Sequence, residues 1–364
     1  MDSQAKLHCL AISCTVLLSI LAVWLPFVAE NREAVLFRYW DGPSYVTVAY
    51  SLYSLQNPVY AAYGFGPEFY AAHFPAYPTA IRLLSFIGYF NAMLAATALF
   101  AVLAVIAFYF LAKEFMKPNE ALLLSLVFVF FPARWLVYHS VGASESLFLF
   151  AAISSLYFFR KNNFAAAAGF GALAALTRAA GVLLFPAFLA ALWLQRRKAR
   201  EDPAVLCWIP TALLALFTFH LFQFGDFFAA FEVNAGYAKG FLSAFAEFGG
   251  HPSGELTALL FGLYAVGTAR LWQRRRFDLF AVSLAFFVPV LFIAHSDVSR
   301  YLLPAAPFAL LLGFDDVLAP LFRRKSFWLA FALFAAAALF YAWSTLPTNL
   351  MPEKAFARLA GIVG

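Results

Sequence analysis

The sequence predicts an all-α polytopic membrane protein, and three observations predict it. Hydrophobic residues make up 64% of the 364 positions and charged residues only 12%. Apolar runs of spanning length recur from end to end, which no soluble domain of this size tolerates. The basic residues behind the net charge of +6 fall in short clusters between those runs, where a membrane protein places them to set its orientation. No basic domain exists to carry nucleic-acid binding. Cys9, Cys14 and Cys207 lie inside apolar runs at spacings that match neither a disulfide framework nor a metal site.

The chain reads as one integral membrane domain over 1–364. Residues 7–28 follow a short start containing Lys6, and their length, with no small-residue cleavage site, favours a retained first span over a signal peptide. Further candidate spans fall near 90–112, 119–137, 144–159, 164–177, 179–194, 205–224, 255–272, 277–294, 301–320 and 327–346, eleven in all. Two long connections remain, 29–89 and 225–254. With a cytoplasmic N-terminus, the inner side receives Lys113 and Lys117, Arg160 and Lys161, Arg196 to Arg200, Arg270 to Arg276, and Arg323 to Lys325. Sixteen of the 25 Lys and Arg then lie inside, including every dense cluster, as the positive-inside rule requires. Acidic residues lean the other way, among them Glu30, Asp41, Glu145, Asp226, Glu247 and Asp297, so the chemistry is expected on the outer face.

Two of these spans are short. Helices over 164–177 and 179–194 rise about 21 and about 24 Å, against a hydrocarbon core of roughly 30 Å. The Thr177-Arg178 turn is therefore expected below the outer membrane surface, where an arginine is costly unless it faces protein or a polar cavity and where an anion is its natural partner. The alternative is a single tilted span over 164–194 with Arg178 in a structural ion pair. It would invert every later loop and place the basic clusters outside.

Asp41 follows Trp40 at the start of a short helix, where a carboxylate near aromatic walls suits a general base, and where a plain N-cap is the alternative. His73 and Tyr77 flank a Pro-bracketed turn able to orient a substrate, or are simply packed. Glu145, in Ser144-Glu145-Ser146, opens an otherwise apolar span, and a solvated helix-start acid is the other reading. His295-Ser296-Asp297-Val298-Ser299-Arg300-Tyr301 is the densest polar group at any span junction. Its Arg300 and His295 at a helix start suit a phosphate, while an Asp297–Arg300 cap is the alternative. No metal-binding spacing, phosphate loop or dinucleotide glycine pattern occurs, so neither a metal nor a nucleotide cofactor is indicated. An outward carboxylate, cations near membrane level and an aromatic loop suit a substrate whose tail sits in the bilayer and whose phosphate lies at the surface.

These segments occur in the order seen in a known family. Trp40-Asp41 with Tyr45, His73-Phe74-Pro75-Ala76-Tyr77-Pro78, Ser144-Glu145-Ser146-Leu147-Phe148, Thr177-Arg178-Ala179-Ala180-Gly181 and His295 through Pro304 carry the likeness, over about residues 36–310. The chain resembles the phosphatidylinositol-glycan class V family, GPI mannosyltransferase II, and more broadly the multi-spanning GT-C glycosyltransferases. The family's usual Phe-Phe-Pro-x-Tyr-Pro has His73 at its first position here, its usual Thr-Arg-Ser-Asn-Gly lacks two polar side chains, and the chain is compact, with shorter loops than expected of a eukaryotic member, which together point to a prokaryotic relative with another acceptor.

The resemblance implies a first outward loop of short surface helices with Asp41 as catalytic base. It implies an inverting, metal-independent transfer of a sugar, mannose by family habit, from polyprenyl (dolichyl) phosphate to a glycolipid or glycan acceptor. Arg300, Arg178 and His295 would hold the donor phosphate. Trp40, Tyr45, His73, Tyr77, Glu145 and Asp297 would bind substrate or support those groups. The implied location is the cell membrane of a prokaryote, or the endoplasmic reticulum of a eukaryote, with the site on the extracytoplasmic side. Two other classes compete: a transporter or lipid flippase, which also has broken helices and buried charges, and a noncatalytic subunit of a glycan-assembly complex.

Overall fold

The computed structural model describes residues 3–62, 64–196, 202–233, 235–243, 245, 252–295 and 297–364. Arg197, Lys198 and Arg200 of the expected inner cluster, Glu247, and Ser296 of the polar junction lie outside the described residues.

The chain is all-helical, with no strand among the described residues. In order it forms α1 (Ser3–Ala29), α2 (Ala34–Arg38), α3 (Asp41–Ser51), α4 (Ala76–Leu83), α5 (Tyr89–Ala112), α6 (Pro118–Phe130), α7 (Ala133–Tyr138) and α8 (Glu145–Arg160). Then come α9 (Phe164–Thr177), α10 (Leu184–Gln195), α11 (Trp208–Phe224), α12 (Ala229–Glu232), α13 (Pro252–Gln273) and α14 (Phe277–Phe287). The chain closes with α15 (Val298–Leu302), α16 (Asp315–Leu321), α17 (Lys325–Thr345) and α18 (Glu353–Val363).

Among the described residues, four helical stretches are long and apolar enough to cross a membrane: Ser3–Ala29, Tyr89–Ala112, Pro203–Phe224 and Lys325–Thr348. Leu7, Leu18 and Leu25 on α1, and Leu329, Leu333 and Phe340 on α17, remain exposed, as a lipid-facing surface requires. Helix lies at every one of the eleven expected positions, but several of those positions are not single spanning helices. The run 119–137 breaks after Phe130 at a cis Phe131-Pro132 bond, and α7 starts afresh beyond it. The run 277–294 changes to a 3-10 turn at Val288–Phe292. The run 301–320 divides among the end of α15, a turn at Leu303–Ala305, a π-helical stretch at Pro307–Leu312 and α16. Each break carries a proline, Pro132, Pro289, Pro304 or Pro307, which withholds the N–H that a continuing helix needs.

Helix α8 is the axis of the bundle. It packs between α5 and α9, and α9 packs in turn on α11. Its Ala151, Ala152, Ser154 and Ser155 are buried, and the facing helix α9 is Ala- and Gly-rich, so the two backbones approach closely. The Ser155 hydroxyl donates to the Ala167 carbonyl at 2.6 Å, satisfying a polar side chain that lipid could not.

Residues 29–62 and 64–89 form short helices packed on the bundle. Tyr39, Tyr45, Tyr53, Tyr60, Tyr70 and Tyr77 within them are all buried. A feature absent from the sequence reading holds this segment down. Residues 349–351 run antiparallel to Arg38–Trp40: the Trp40 amide donates to Asn349 O at 3.0 Å, the Met351 amide to Arg38 O at 2.7 Å, and Arg38 Nε to Met351 O at 3.0 Å. Helix α18 then covers α3 and the turn Pro58–Ala62 through buried Leu359 and Val363.

Candidate active site

Helix α3 starts at Asp41, and a carboxylate in the first turn meets the positive end of the helix dipole. Asp41 is the first helical residue and not a cap. Its side chain reaches across to Arg300 on α15, whose Nη2 pairs with Asp41 Oδ2. Gly42 makes the approach of α3 possible, since a Cβ there would meet Gly142 O at 3.2 Å and the Met93 sulfur at 2.9 Å. Tyr45, one helical turn after Asp41 and on the same face, donates to Ser144 Oγ at 2.8 Å.

Glu145 stands in the first turn of α8 and is buried, which removes the reading of a solvated helix-start acid. Its Oε1 accepts from Arg300 Nε and, at 2.5 Å, from Arg178 Nη1. Arg178 interrupts the apolar run where it was expected to. It is extended between α9 and the turn Ala179–Leu183. Gly181 sits so close to α9 that a Cβ would lie 2.3 Å from the Ala174 carbonyl carbon. A continuous helix over 164–194 is therefore excluded, and the chain turns sharply at Arg178. The result is an alternating chain, Arg178–Glu145–Arg300–Asp41, with two cations and two anions drawn from α3, α8, α15 and the α9 break.

The carboxylate of the 295–301 junction pairs elsewhere. Asp297 accepts from Arg134 Nη2 and, at 2.6 Å, from the Tyr138 hydroxyl. It caps nothing through Arg300. Tyr138 lies under both guanidinium groups, with Arg300 at 4.6 Å and Arg134 at 5.1 Å from the ring centre. Arg134 and Tyr138 were not anticipated. Arg134 fell inside what read as the continuous span 119–137 and Tyr138 just beyond it, and the Phe130-Phe131-Pro132 breaker was the available signal that α7 begins a new element at the site.

The other expected residues surround this centre. His73 and Tyr77 pack edge-on against Tyr45, each with ring centres 5.0 Å from it. The Tyr77 hydroxyl hydrogen-bonds Thr97 at 2.5 Å, and Trp40 is partly exposed beside Asp41. His295 Nδ1 accepts from the Asp297 amide at 2.9 Å, and its ring packs on Tyr237 and Tyr301.

Burial works to raise the Asp41 carboxyl, but the charge of Arg300, helped by His73 and Arg178, outweighs it and holds Asp41 below the usual carboxylate value. Burial pushes the His73 imidazole down to about 4 against the pull of Asp41, so it is neutral at pH 7. Burial and the Asp41 charge push Tyr45 up to about 12, which keeps it a hydrogen-bond donor. Asp41 retains 18% side-chain exposure against 4% for Glu145, so Asp41 is the acid of the chain that a substrate can reach. Glu145 Oε2 is buried and has no hydrogen-bond partner among the described residues.

No protein-family model matches the sequence, and no curated protein matches it either. Solved structures do. The Archaeoglobus fulgidus oligosaccharyltransferase in complex with Zn and sulfate superposes with a TM-score of 0.53 at 15% identity, over 96% of this chain and 52% of its own. The same organism's oligosaccharyltransferase AglB in complex with an inhibitory peptide and a dolichol-phosphate gives 0.50 at 15% identity, over 99% and 56%. The chain thus spans about half the length of these structures and shares their fold. The narrower likeness to the class V family rests on the sequence segments alone.

The first of these structures is a complex with Zn. Both carboxylates of the ion chain already face Arg300, and among the described residues no three of His, Cys, Asp and Glu come together. A divalent cation placed between Asp41 and Glu145 would meet a guanidinium first.

Proposed function

We propose that the chain is a membrane glycosyltransferase that moves a sugar, mannose by its sequence likeness, from a polyprenyl phosphate to a hydroxyl of a glycolipid or glycan acceptor at the extracytoplasmic face. The observation that carries this reading is the pairing of Asp41, the more accessible carboxylate of the ion chain, with Arg300, which also shares Glu145 with Arg178.

The chemistry follows from that pairing. The acceptor hydroxyl attacks the anomeric carbon, Asp41 takes its proton, and the bond to the phosphate oxygen breaks with inversion. The phosphate leaves with more charge than it brought, and Arg300 and Arg178 would take up that charge. Arg300 also links the two tasks. While paired with Asp41 it weakens that carboxylate as a base. A lipid phosphate that draws the guanidinium towards itself restores basicity only once donor is bound, which guards the enzyme against idle proton transfer. Glu145 keeps the two arginines in place and uses only one of its oxygens to do so.

The test is transfer of label from a panel of polyprenyl-phosphate sugars to membrane glycolipids, by purified wild type and Asp41→Asn, with EDTA present. Transfer by wild type and none by a folded variant supports the reading, and the productive donor names the sugar. Asp41→Asn working as well as wild type removes Asp41 as the base. No transfer from any donor returns the transporter and assembly-subunit readings.

A further inference from the structure

A cavity of about 320 Å³ lies at the end of α8 opposite Glu145, lined by Phe115, Arg160, Gln195, Arg275, Arg276 and Asp278. The helical rise of α8 puts it about 24 Å from the ion chain of the candidate active site. Its lining comes from the ends of apolar elements. Phe115 lies just past α5, Arg160 ends α8, Gln195 ends α10, Arg275 and Arg276 form the turn between α13 and α14, and Asp278 opens α14. The cavity therefore sits where the apolar segments stop, at the level at which a bilayer presents its headgroups.

Its charge is unbalanced. Arg160 pairs with Asp278, whose other oxygen accepts from the Leu279 amide at 2.9 Å. Arg276 gives one nitrogen to Asp315 at 2.7 Å and to Leu312 O at 3.0 Å. The guanidinium groups of both lie over the same Phe115 ring, at 4.2 and 4.3 Å. Arg275 is exposed and forms no ion pair among the described residues. Among the described residues, three guanidinium groups and an amide thus line one volume whose lining includes a single carboxylate, Asp278. Arginines that merely oppose helix dipoles or set topology account for Arg160 at the end of α8. They do not account for a second guanidinium stacked on the same ring, nor for a third lining the same cavity with no ion pair among the described residues.

We propose that this cavity binds a phosphate group, carried by the headgroup of an anionic phospholipid. Guanidinium forks match phosphate oxygens in pairs, and Gln195 adds a neutral donor. The volume lies at the small end of ligand sites, enough for a phosphate and its glycerol substituent. Basic pockets between helix ends at the bilayer surface recognise such headgroups. The site is independent of Asp41 and of the proposed transfer reaction.

The experiment is thermal unfolding of the full-length protein in neutral detergent with added phosphatidylglycerol, phosphatidylcholine or inorganic phosphate, the last against chloride of equal ionic strength. Wild type is compared with Arg275→Asn. Arg275 has φ of 56° and no ion-pair partner, and asparagine tolerates that backbone, so the variant keeps the fold. Phosphatidylglycerol should raise the unfolding temperature where phosphatidylcholine does not. The half-maximal lipid concentration should rise roughly tenfold in the variant, the loss expected for one charge-assisted hydrogen bond. An equal shift with inorganic phosphate, equally dependent on Arg275, assigns the same site to a soluble phosphate. No phosphate-dependent shift, or one identical in Arg275→Asn, overturns the proposal.

Discussion

Asp41 and Glu145 share one arginine, yet their losses should be felt differently. Asp41→Asn leaves a partly exposed site and Glu145 still on Arg300, so transfer should fall about 10²–10⁴-fold, the usual worth of a general base, with the unfolding temperature nearly kept. Glu145→Gln strips the buried counter-charge from two arginines at once. It should cost about 3–5 kcal/mol of stability in a denaturation curve, whatever it does to turnover. His73 gives a third measurable effect. Its imidazole titrates at about 4 when folded and near 6.5 when free, so the unfolded chain takes up the proton first and stability falls as pH drops from about 6.5 towards 4. That window is worth about 3 kcal/mol. His73→Phe should flatten this part of a plot of unfolding temperature against pH, and an unchanged slope would show that His73 is not held neutral. At this scale the sequence was informative about single groups. Asp41, Glu145, Arg178 and Arg300 stand out as charges beside apolar runs. Their partners could not be read, because Arg300 meets Glu145 across 155 positions and Asp297 meets Arg134 across 163.

Two elements exist to keep those groups in register. The break between α9 and the turn at Ala179–Leu183 depends on Gly181 lying against backbone, where no flexible side chain can give way. Gly181→Ala should cost about 1–3 kcal/mol of stability, and it should reduce transfer by moving Arg178 off Glu145. Rescue of transfer without rescue of stability in a longer-armed background would separate the two effects. The break was legible because 164–177 and 179–194 are each too short to span. The clamp at 349–351 was not, since two of its three hydrogen bonds are backbone bonds that any sequence can supply. Amphipathic α18 follows it and buries Leu359 and Val363 on the first loop. Ending the chain after Thr348 should leave an inserted protein that has lost transfer, because Arg38–Trp40 would be released at the residue preceding Asp41.

For the whole molecule the governing question is which end faces which compartment. Charge supplies the argument. At one end Arg178, Arg300 and Arg134 are met by Asp41, Glu145 and Asp297. At the other, Arg270, Arg274 and Arg276 are met by Asp315 and Asp316 while Arg275 and Arg324 stay unpaired among the described residues. The surplus of positive charge thus collects at the end remote from Asp41, which is the end that should stay in the cytoplasm. Glu30 and Arg324 are exposed and lie at the ends of α1 and before α17. In a background with Cys9, Cys14 and Cys207 replaced by alanine, Glu30→Cys should react with a membrane-impermeant maleimide in intact cells, and Arg324→Cys only after the membrane is opened. A single crossing over 164–194 would instead put both cysteines on one side, so equal labelling would remove the orientation on which the extracytoplasmic site depends.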